Sequence, residues 1–68
     1  MKVIIHPGNR EVEVVSVKRV MDLLNRLDIN QESVIVSRDG ELITKDEPLA
    51  EGDVLEIYPA YLKEAFRI

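Results

Sequence analysis

The chain has 68 residues, of which 46% are hydrophobic and 32% are charged, with a formal net charge of −4. This composition predicts one small globular domain and argues against nucleic acid as the main partner, since phosphate binding needs a basic surface. The absence of cysteine excludes disulfides and thiolate metal sites and favours the cytoplasm as the compartment. Because no apolar run is long enough for a signal peptide or a membrane span, we expect no membrane partner.

The first predicted elements form a β-hairpin. Lys2 to Ile5 is a short run rich in β-branched residues, and the turn-forming residues His6 to Asn9 follow it. Arg10 to Val14 then alternates between polar and apolar residues, so that Val12 and Val14 share one face of a strand. Two strand-like runs around a turn predict the hairpin.

The next segment has the spacing of an amphipathic helix. Ser16 is a good N-cap residue, and the predicted helix extends from Val17 to about Leu27. Apolar residues recur on one side of this helix at Val17, Val20, Met21, Leu24 and Leu27. Asp28 marks its predicted C-terminal boundary, and Ile29 is expected to fold back onto the core.

A second hairpin is predicted in the middle of the chain. Val34 to Val36 is an unbroken apolar run, which favours a strand that is buried on more than one side. Arg38 to Glu41 is a strong hairpin turn, because Asp-Gly suits the tight connection between two antiparallel strands. Leu42 and Ile43 then form a short fourth strand.

The last predicted strand follows a loop from Thr44 to Glu51. Leu49 is expected to enter the core from this loop, and Gly52 supplies the backbone freedom for the turn into the strand. Alternation within that strand predicts that Leu55 and Ile57 face inward.

The predicted order is β-β-α-β-β-β, which indicates a single α+β domain. One helix packed across a mixed sheet of four to five strands buries both amphipathic faces in one core. The first and last strands cannot be hairpin neighbours, so we expect them to lie side by side and parallel at the centre of the sheet. This arrangement is the ubiquitin-like β-grasp fold.

The polar residues offer no constellation for catalysis. His6 is the sole histidine, and it lies in a turn without the cysteine or second histidine that a metal site would need. The acidic pairs Asp46–Glu47 and Glu51/Asp53 lack the dense oxygen spacing of a calcium site, and we interpret them as a solvated face. We therefore expect a protein that is not an enzyme and binds neither a metal nor a cofactor.

Four segments in order resemble the ThiS/MoaD group of ubiquitin-like sulfur carriers, from Met1 to about Ala60. They are the opening hairpin, the leucine-rich helix end Leu23 to Ile29, the hairpin Val34 to Ile43, and the glycine turn with its closing strand, Leu49 to Pro59. Asp28 stands where a glycine is more usual in this group. The resemblance implies the β-grasp fold across nearly the whole chain.

The resemblance also implies a function in sulfur transfer, in which the protein is a substrate. In such carriers an activating enzyme adenylates the terminal glycine carboxylate with ATP, and sulfur then replaces one oxygen. The sulfur goes on to thiamin thiazole, to molybdopterin or to a tRNA base, and in some relatives the activated end is joined to lysines. The partners it implies are an activating enzyme or a sulfur-acceptor protein.

The C-terminal end departs from the pattern of this group. The pattern has two terminal glycines, whereas the last glycine here is Gly52 and the sequence ends at Ile68. For this reason no catalytic residue is transferred from the resemblance. The alternative hypothesis is a non-conjugating protein–protein interaction module that has lost the glycine pair.

Two segments are expected: a β-grasp domain at residues 1–60 and a tail at residues 61–68. The tail could form a short helix or a packing arm, and such a helix must pack on the domain itself, on a second copy in a homodimer, or on a foreign partner. Candidate partner-binding residues belong to the exposed sheet surface and the tail: Ile43, Val54, Tyr58, Tyr61, Leu62 and Phe66.

Overall fold

A computed structural model describes residues 1–62, and for Leu62 the backbone alone. One helix packs on a five-stranded sheet, and two short 3₁₀ turns flank the C-terminal half. The elements are β1 (Lys2–Ile5), β2 (Arg10–Glu13), α1 (Val20–Arg26), η1 (Gln31–Ser33), β3 (Val34–Arg38), β4 (Glu41–Ile43), β5 (Val54–Pro59) and η2 (Ala60–Leu62). This arrangement confirms the predicted α+β class.

The strand order in the sheet is β2-β1-β5-β3-β4. β1 and β5 are parallel neighbours at its centre, with Val3 beside Leu55 and Ile5 beside Ile57. The other three pairings are antiparallel. The first and last strands therefore meet as predicted, and the topology is that of the ubiquitin-like β-grasp.

Alternation along the strands gives the sheet two distinct faces. The inner face, which carries Val3, Val36, Leu55 and Ile57, packs with α1 in a single core. The buried core residues are Met1, Val3, Val14, Val17, Val20, Leu23, Leu24, Val36, Leu55 and Ile57. Ile29 and Leu49 pack against this cluster, as the sequence predicted. The opposite face is called the outer face below.

The helix begins later than the sequence predicts. Ser16 adopts a left-handed φ of 63° and is not the N-cap, whereas Arg19 is the N-cap residue and α1 starts at Val20. The N–H of Val20 donates to the carbonyl of Glu47 (3.2 Å), and the N–H of Met21 donates to that of Lys45 (2.9 Å). The loop after β4 thus satisfies the exposed helix donors from a distant part of the sequence, which local pattern could not show.

The helix end agrees with the prediction and explains Asp28. Asp28 has a φ of 58°. Its N–H donates to the carbonyl of Asn25 (3.1 Å), while the N–H of Ile29 donates to that of Leu24 (2.9 Å). These two bonds form a Schellman motif, whose left-handed position normally holds glycine. Asp28 therefore ends the helix at some conformational cost.

The acids after β4 are not simply a solvated face. Arg38 Nη2 donates to Glu47 Oε2 at 2.7 Å, and Arg38 Nη1 lies 3.4 Å from Asp53 Oδ2 and 3.0 Å from the carbonyl oxygen of Pro48. Asp53 Oδ2 also accepts from the backbone N–H of Ala50 at 2.9 Å. The interpretation of these acids as solvated was wrong for Glu47 and Asp53, because they hold the loop against the end of β3.

No helix among residues 1–62 has the length and apolar character needed to cross a membrane. The predicted boundary near residue 60 falls where β5 gives way to η2. The predicted helix or arm of the tail lies outside the described residues, apart from Tyr61 and the backbone of Leu62.

Candidate docking surface

The outer face presents apolar and polar side chains from all five strands. Because neighbouring residues in a strand point to opposite sides, the positions between the core residues of β1, β3 and β5 belong to this face. Strand pairing places Glu11 beside Ile4, Ile4 beside Glu56, Glu56 beside Ser37, and Ser37 beside Leu42. One continuous row thus crosses the whole sheet.

His6 and Tyr58 form an ordered ring pair on this face. Their centroids are 4.5 Å apart and their planes differ by 3°, so the imidazole and phenol are stacked. His6 Nε2 also lies 3.0 Å from Glu56 Oε1, a hydrogen bond that joins residues 50 positions apart in sequence. The stack and the hydrogen bond together hold both rings in fixed positions at the surface.

The pKa of the Tyr58 phenol is raised by its surroundings. Burial raises its pKa above the ordinary value of 10.0, and the negative charge of Glu56 adds to this effect. A side-chain hydrogen bond with Ser37 acts in the opposite direction. The phenol is therefore neutral across the physiological pH range and can offer a hydrogen bond as well as an apolar ring.

Ile35 supplies a buried apolar position on the same face. It pairs with Tyr58 across β3 and β5 and is buried, although it does not belong to the core beneath α1. The next outward residue of β3, Ser37, is buried as well. The prediction that the run Val34 to Val36 is buried on more than one side is confirmed, because Ile35 and Val36 point to opposite faces of the sheet and both are buried.

The structure separates the candidate partner-binding residues. Val54 and Tyr61 are exposed at 45% and 75% respectively, while Tyr58 is half-buried in the ring stack. Ile43 was wrongly expected to face outward. It pairs with the core residue Val36 and packs against the core cluster. The side chain of Leu62 and all of Phe66 lie outside the described residues.

Leu42 occupies the outward position that was expected for Ile43. Its side chain is 47% exposed, and it pairs with Ser37. The signal lay in the turn, since Asp39 and Gly40 both have positive φ and form a two-residue hairpin connection. That connection fixes Arg38 opposite Glu41, so Leu42 must follow on the same face as Ser37.

Acidic side chains surround the outer face. Glu11 and Glu13 line it along β2, and Glu56 lies near its centre. Lys2 Nζ is 3.7 Å from Glu11 Oε1, a pair too exposed to contribute much to stability. Within residues 1–62 no group of three or more histidine or acidic side chains is placed to hold a metal ion.

A second concave surface lies beside α1 at the β3 and β4 side of the sheet, and its lining includes Ile35 and Leu42 as well as residues of the inner face. Its volume is about 240 Å³, and Glu32 and Lys45 lie at its polar rim. Its apolar lining includes Val20, Leu24, Val36 and Ile43. This space is smaller than a typical small-molecule site and brings together no reactive side chains. The outer face is therefore the stronger candidate for recognition.

Comparison with known proteins identifies relatives across almost the whole chain. The ThiS family model matches residues 3–61. The chain is also 34% identical over 61 residues to the sulfur carrier protein TtuB of Thermus thermophilus, an alignment that covers 88% of this chain and 94% of that protein. The family match includes every strand of the sheet except the first residue of β1, and it includes the helix.

Proposed function

Since the chain belongs to the ThiS family and is a small sulfur carrier protein of that type, we propose that it acts as the protein substrate of an ATP-dependent activating enzyme. The observation that carries this proposal is the similarity to a sulfur carrier over 94% of that relative's length. The carrier would supply sulfur to thiamin, molybdopterin or tRNA thiolation, and it would not itself be an enzyme. We place it in the cytoplasm, where ATP is available.

The outer face is the surface through which we propose that the activating enzyme or a sulfur acceptor binds. Val54 and Leu42 contribute exposed apolar area to this face, and Tyr58 contributes a stacked aromatic ring. Tyr61 adds an exposed ring in η2, just beyond the end of β5. Tyrosine is enriched among the residues that dominate binding energy, because it combines large area with few rotatable bonds. Most of the inner face cannot serve in this way, because its core residues are buried together with those of α1.

The tail extends this proposed surface. η2 follows β5 and lies close to β3 and η1, and Tyr61 within it is 75% exposed. We propose that residues 61–68, with Leu62 and Phe66, act as an arm that contacts the same partner as residues 1–60. A homodimer through this arm is the competing arrangement, and sedimentation of the full chain at several concentrations separates the two.

The experiment measures ATP–pyrophosphate exchange by the activating enzyme of the same organism in the presence of this chain. Val54→Asp and Tyr61→Ala should each lower kcat/KM for the carrier by about tenfold or more, as expected when an anchoring contact of an interface is lost. Val15→Asp is the matched control. Val15 is also exposed, and its carbonyl accepts a bond from Arg26 on the helix side of the molecule.

The outcomes distinguish the carrier role from its proposed docking surface. Exchange that depends on this chain supports the carrier role. A fall in exchange for the outer-face variants, but not for Val15→Asp, supports the docking surface as well. Equal exchange by all variants would move the docking surface elsewhere. Absence of any exchange with the unaltered chain would contradict the proposed role as a substrate of the enzyme.

A further inference from the structure

β2 forms one free edge of the sheet. Among the described residues, its single strand neighbour is β1, and the opposite side of β2 pairs with no strand. A free edge carries backbone N–H and C=O groups that can pair with another extended chain. Hydrogen bonds at the end of β2 show which of its residues point their backbone groups toward this free edge.

Met1 and Val14 exchange two bonds across the start of the hairpin. The Val14 N–H donates to the Met1 carbonyl at 3.0 Å, and the Met1 amine donates to the Val14 carbonyl at 2.8 Å. Hydrogen-bonded and non-hydrogen-bonded residue pairs alternate along an antiparallel pair of strands. The backbone N–H and C=O groups of Val12 and Arg10 therefore also point toward β1. Glu13 and Glu11 therefore direct their backbone groups away from β1, toward the free edge.

Bonds on the far side of β1 support this assignment. The N–H of Lys2 donates to the Asp53 carbonyl at 3.0 Å, and the N–H of His6 donates to the Ile57 carbonyl at 2.8 Å. The backbone groups of the even-numbered residues of β1 thus point toward β5, and those of Val3 and Ile5 point toward β2. Their partners are Val12 and Arg10, in agreement with the pattern from the hairpin start.

The two residues with free backbone groups are also the two acids of the strand. Glu11 and Glu13 pair with Ile4 and Lys2, so their carboxylates lie on the outer face, and their side chains are 60% and 74% exposed. Glu11 Oε1 lies 3.7 Å from Lys2 Nζ and Glu13 Oε2 lies 3.9 Å from the Met1 amine, and both carboxylates remain exposed to solvent. Val12, between them, points to the inner face and is half-buried.

We propose that the β2 edge binds an extended segment of a partner protein with the pattern basic–apolar–basic. Backbone groups of that segment would pair with those of Glu11 and Glu13, adding a sixth strand. Its two basic side chains would lie beside the two carboxylates on the outer face. Its central apolar side chain would lie beside Val12 on the inner face.

The charges of the edge select this partner over a second copy of the chain. Two β2 strands paired in antiparallel fashion would bring Glu11 of one copy opposite Glu13 of the other, and like charges directly opposite are destabilising. The net charge of −4 adds to that repulsion. The inference goes beyond the sulfur-carrier role and does not depend on it.

The other edge of the sheet provides an internal control. β4 has three residues, and its hairpin register leaves Leu42 as the one position within it whose backbone groups point outward. Its flanking acid is Glu41, whose backbone groups pair with Arg38. The β2 edge therefore offers a basic segment two residues with free backbone groups, each with a carboxylate. The β4 edge offers one such residue, and its side chain is apolar.

The test titrates the full chain with a synthetic peptide that contains Lys-Val-Lys flanked by serine and glycine. Amide NMR should show the largest shift changes at Glu11 and Glu13, with Leu42 as the reference amide. A peptide with Glu-Val-Glu in the same frame tests the role of charge. A Lys-Val-Lys peptide with N-methylated backbone on both lysines tests the role of strand pairing.

The double variant Glu11→Lys/Glu13→Lys should weaken binding of Lys-Val-Lys at least tenfold and create binding of Glu-Val-Glu, while Glu41→Lys should change neither. N-methylation should weaken binding at least tenfold for the unaltered chain. Binding that survives N-methylation would be purely electrostatic and would overturn the proposal. Shifts absent at Glu11 and Glu13 at millimolar peptide, or larger at Leu42, would overturn it as well.

Discussion

The two faces of the sheet are built from alternating residues of the same strands, yet they are organised by different forces. On the inner face, Val3, Leu55 and Ile57 are fully buried with α1, and apolar packing positions their side chains. On the outer face, His6, Glu56 and Tyr58 are positioned by a ring stack and a hydrogen bond, with no layer above them in the described chain. The inner face provides stability, and the outer face is the surface that we propose for partner binding.

The largest expected difference in stability between the two faces is that between substitutions of Leu24 and of Val54. Leu24→Ala should lower the free energy of unfolding by about 2–5 kcal/mol, because Leu24 is 2% exposed in the core and leaves a cavity. Val54→Ala should change it by less than about 0.5 kcal/mol, because Val54 is exposed. Urea denaturation measures both. A loss below about 1 kcal/mol for Leu24→Ala would place this residue outside a tightly packed core.

Leu42 and Ile43 test the same contrast with adjacent residues of one strand. Ile43→Ser should cost about 1–3 kcal/mol, because it removes apolar contact with the core and leaves a hydroxyl there. Leu42→Ser should be close to neutral in unfolding and should act on partner binding instead. Equal losses of stability for the two variants would mean that β4 is not aligned as its pairing with β3 indicates.

The ring stack should contribute a smaller amount. His6→Ala removes the stacking partner of Tyr58 and the hydrogen bond to Glu56, for an expected loss of about 0.5–1.5 kcal/mol. Glu56→Gln keeps the stack and most of the side-chain shape, so it is the matched control. A larger loss for Glu56→Gln than for His6→Ala would show that the carboxylate, and not the stack, orders this face.

The smallest expected effect on stability is the one that depends on pH through the ionisation of Tyr58. Its pKa in the folded protein is raised above 10.0, first by burial and then by the charge of Glu56. The unfolded chain then ionises first, so the contribution to stability is complete below about pH 10 and is lost as pH rises through the folded pKa. NMR titration of the ring should show Tyr58 ionising above free tyrosine. Glu56→Gln should lower that pKa, and an unchanged value would exclude the carboxylate as a cause.

Sequence periodicity was enough to predict most of the inner face. The spacing of Val20 and Leu24 predicted a helix with one buried side, and the alternation of Leu55 and Ile57 predicted their inward direction. Hydrophobic pattern is a local signal that burial enforces throughout a small domain. The parallel contact of the first and last strands followed from element order alone.

The errors arose where non-local contacts decide the structure. The helix start depends on the carbonyls of Lys45 and Glu47, which lie more than 20 residues beyond it in the sequence. Ile43 belongs to a strand too short to show alternation, so its direction depends on the register set by the preceding turn. No local pattern could pair His6 with Glu56, because strand assembly brings them together.

The central claim is that this chain carries sulfur after activation by a partner that binds the outer face. The most direct test is the intact mass of the chain after incubation with the activating enzyme of its organism, ATP and a sulfur donor, alongside protein isolated from the native source. We expect a species in which one terminal oxygen is replaced by sulfur, and Val54→Asp should form it poorly. An unchanged encoded mass under both conditions would contradict it and favour a β-grasp interaction module that is not activated.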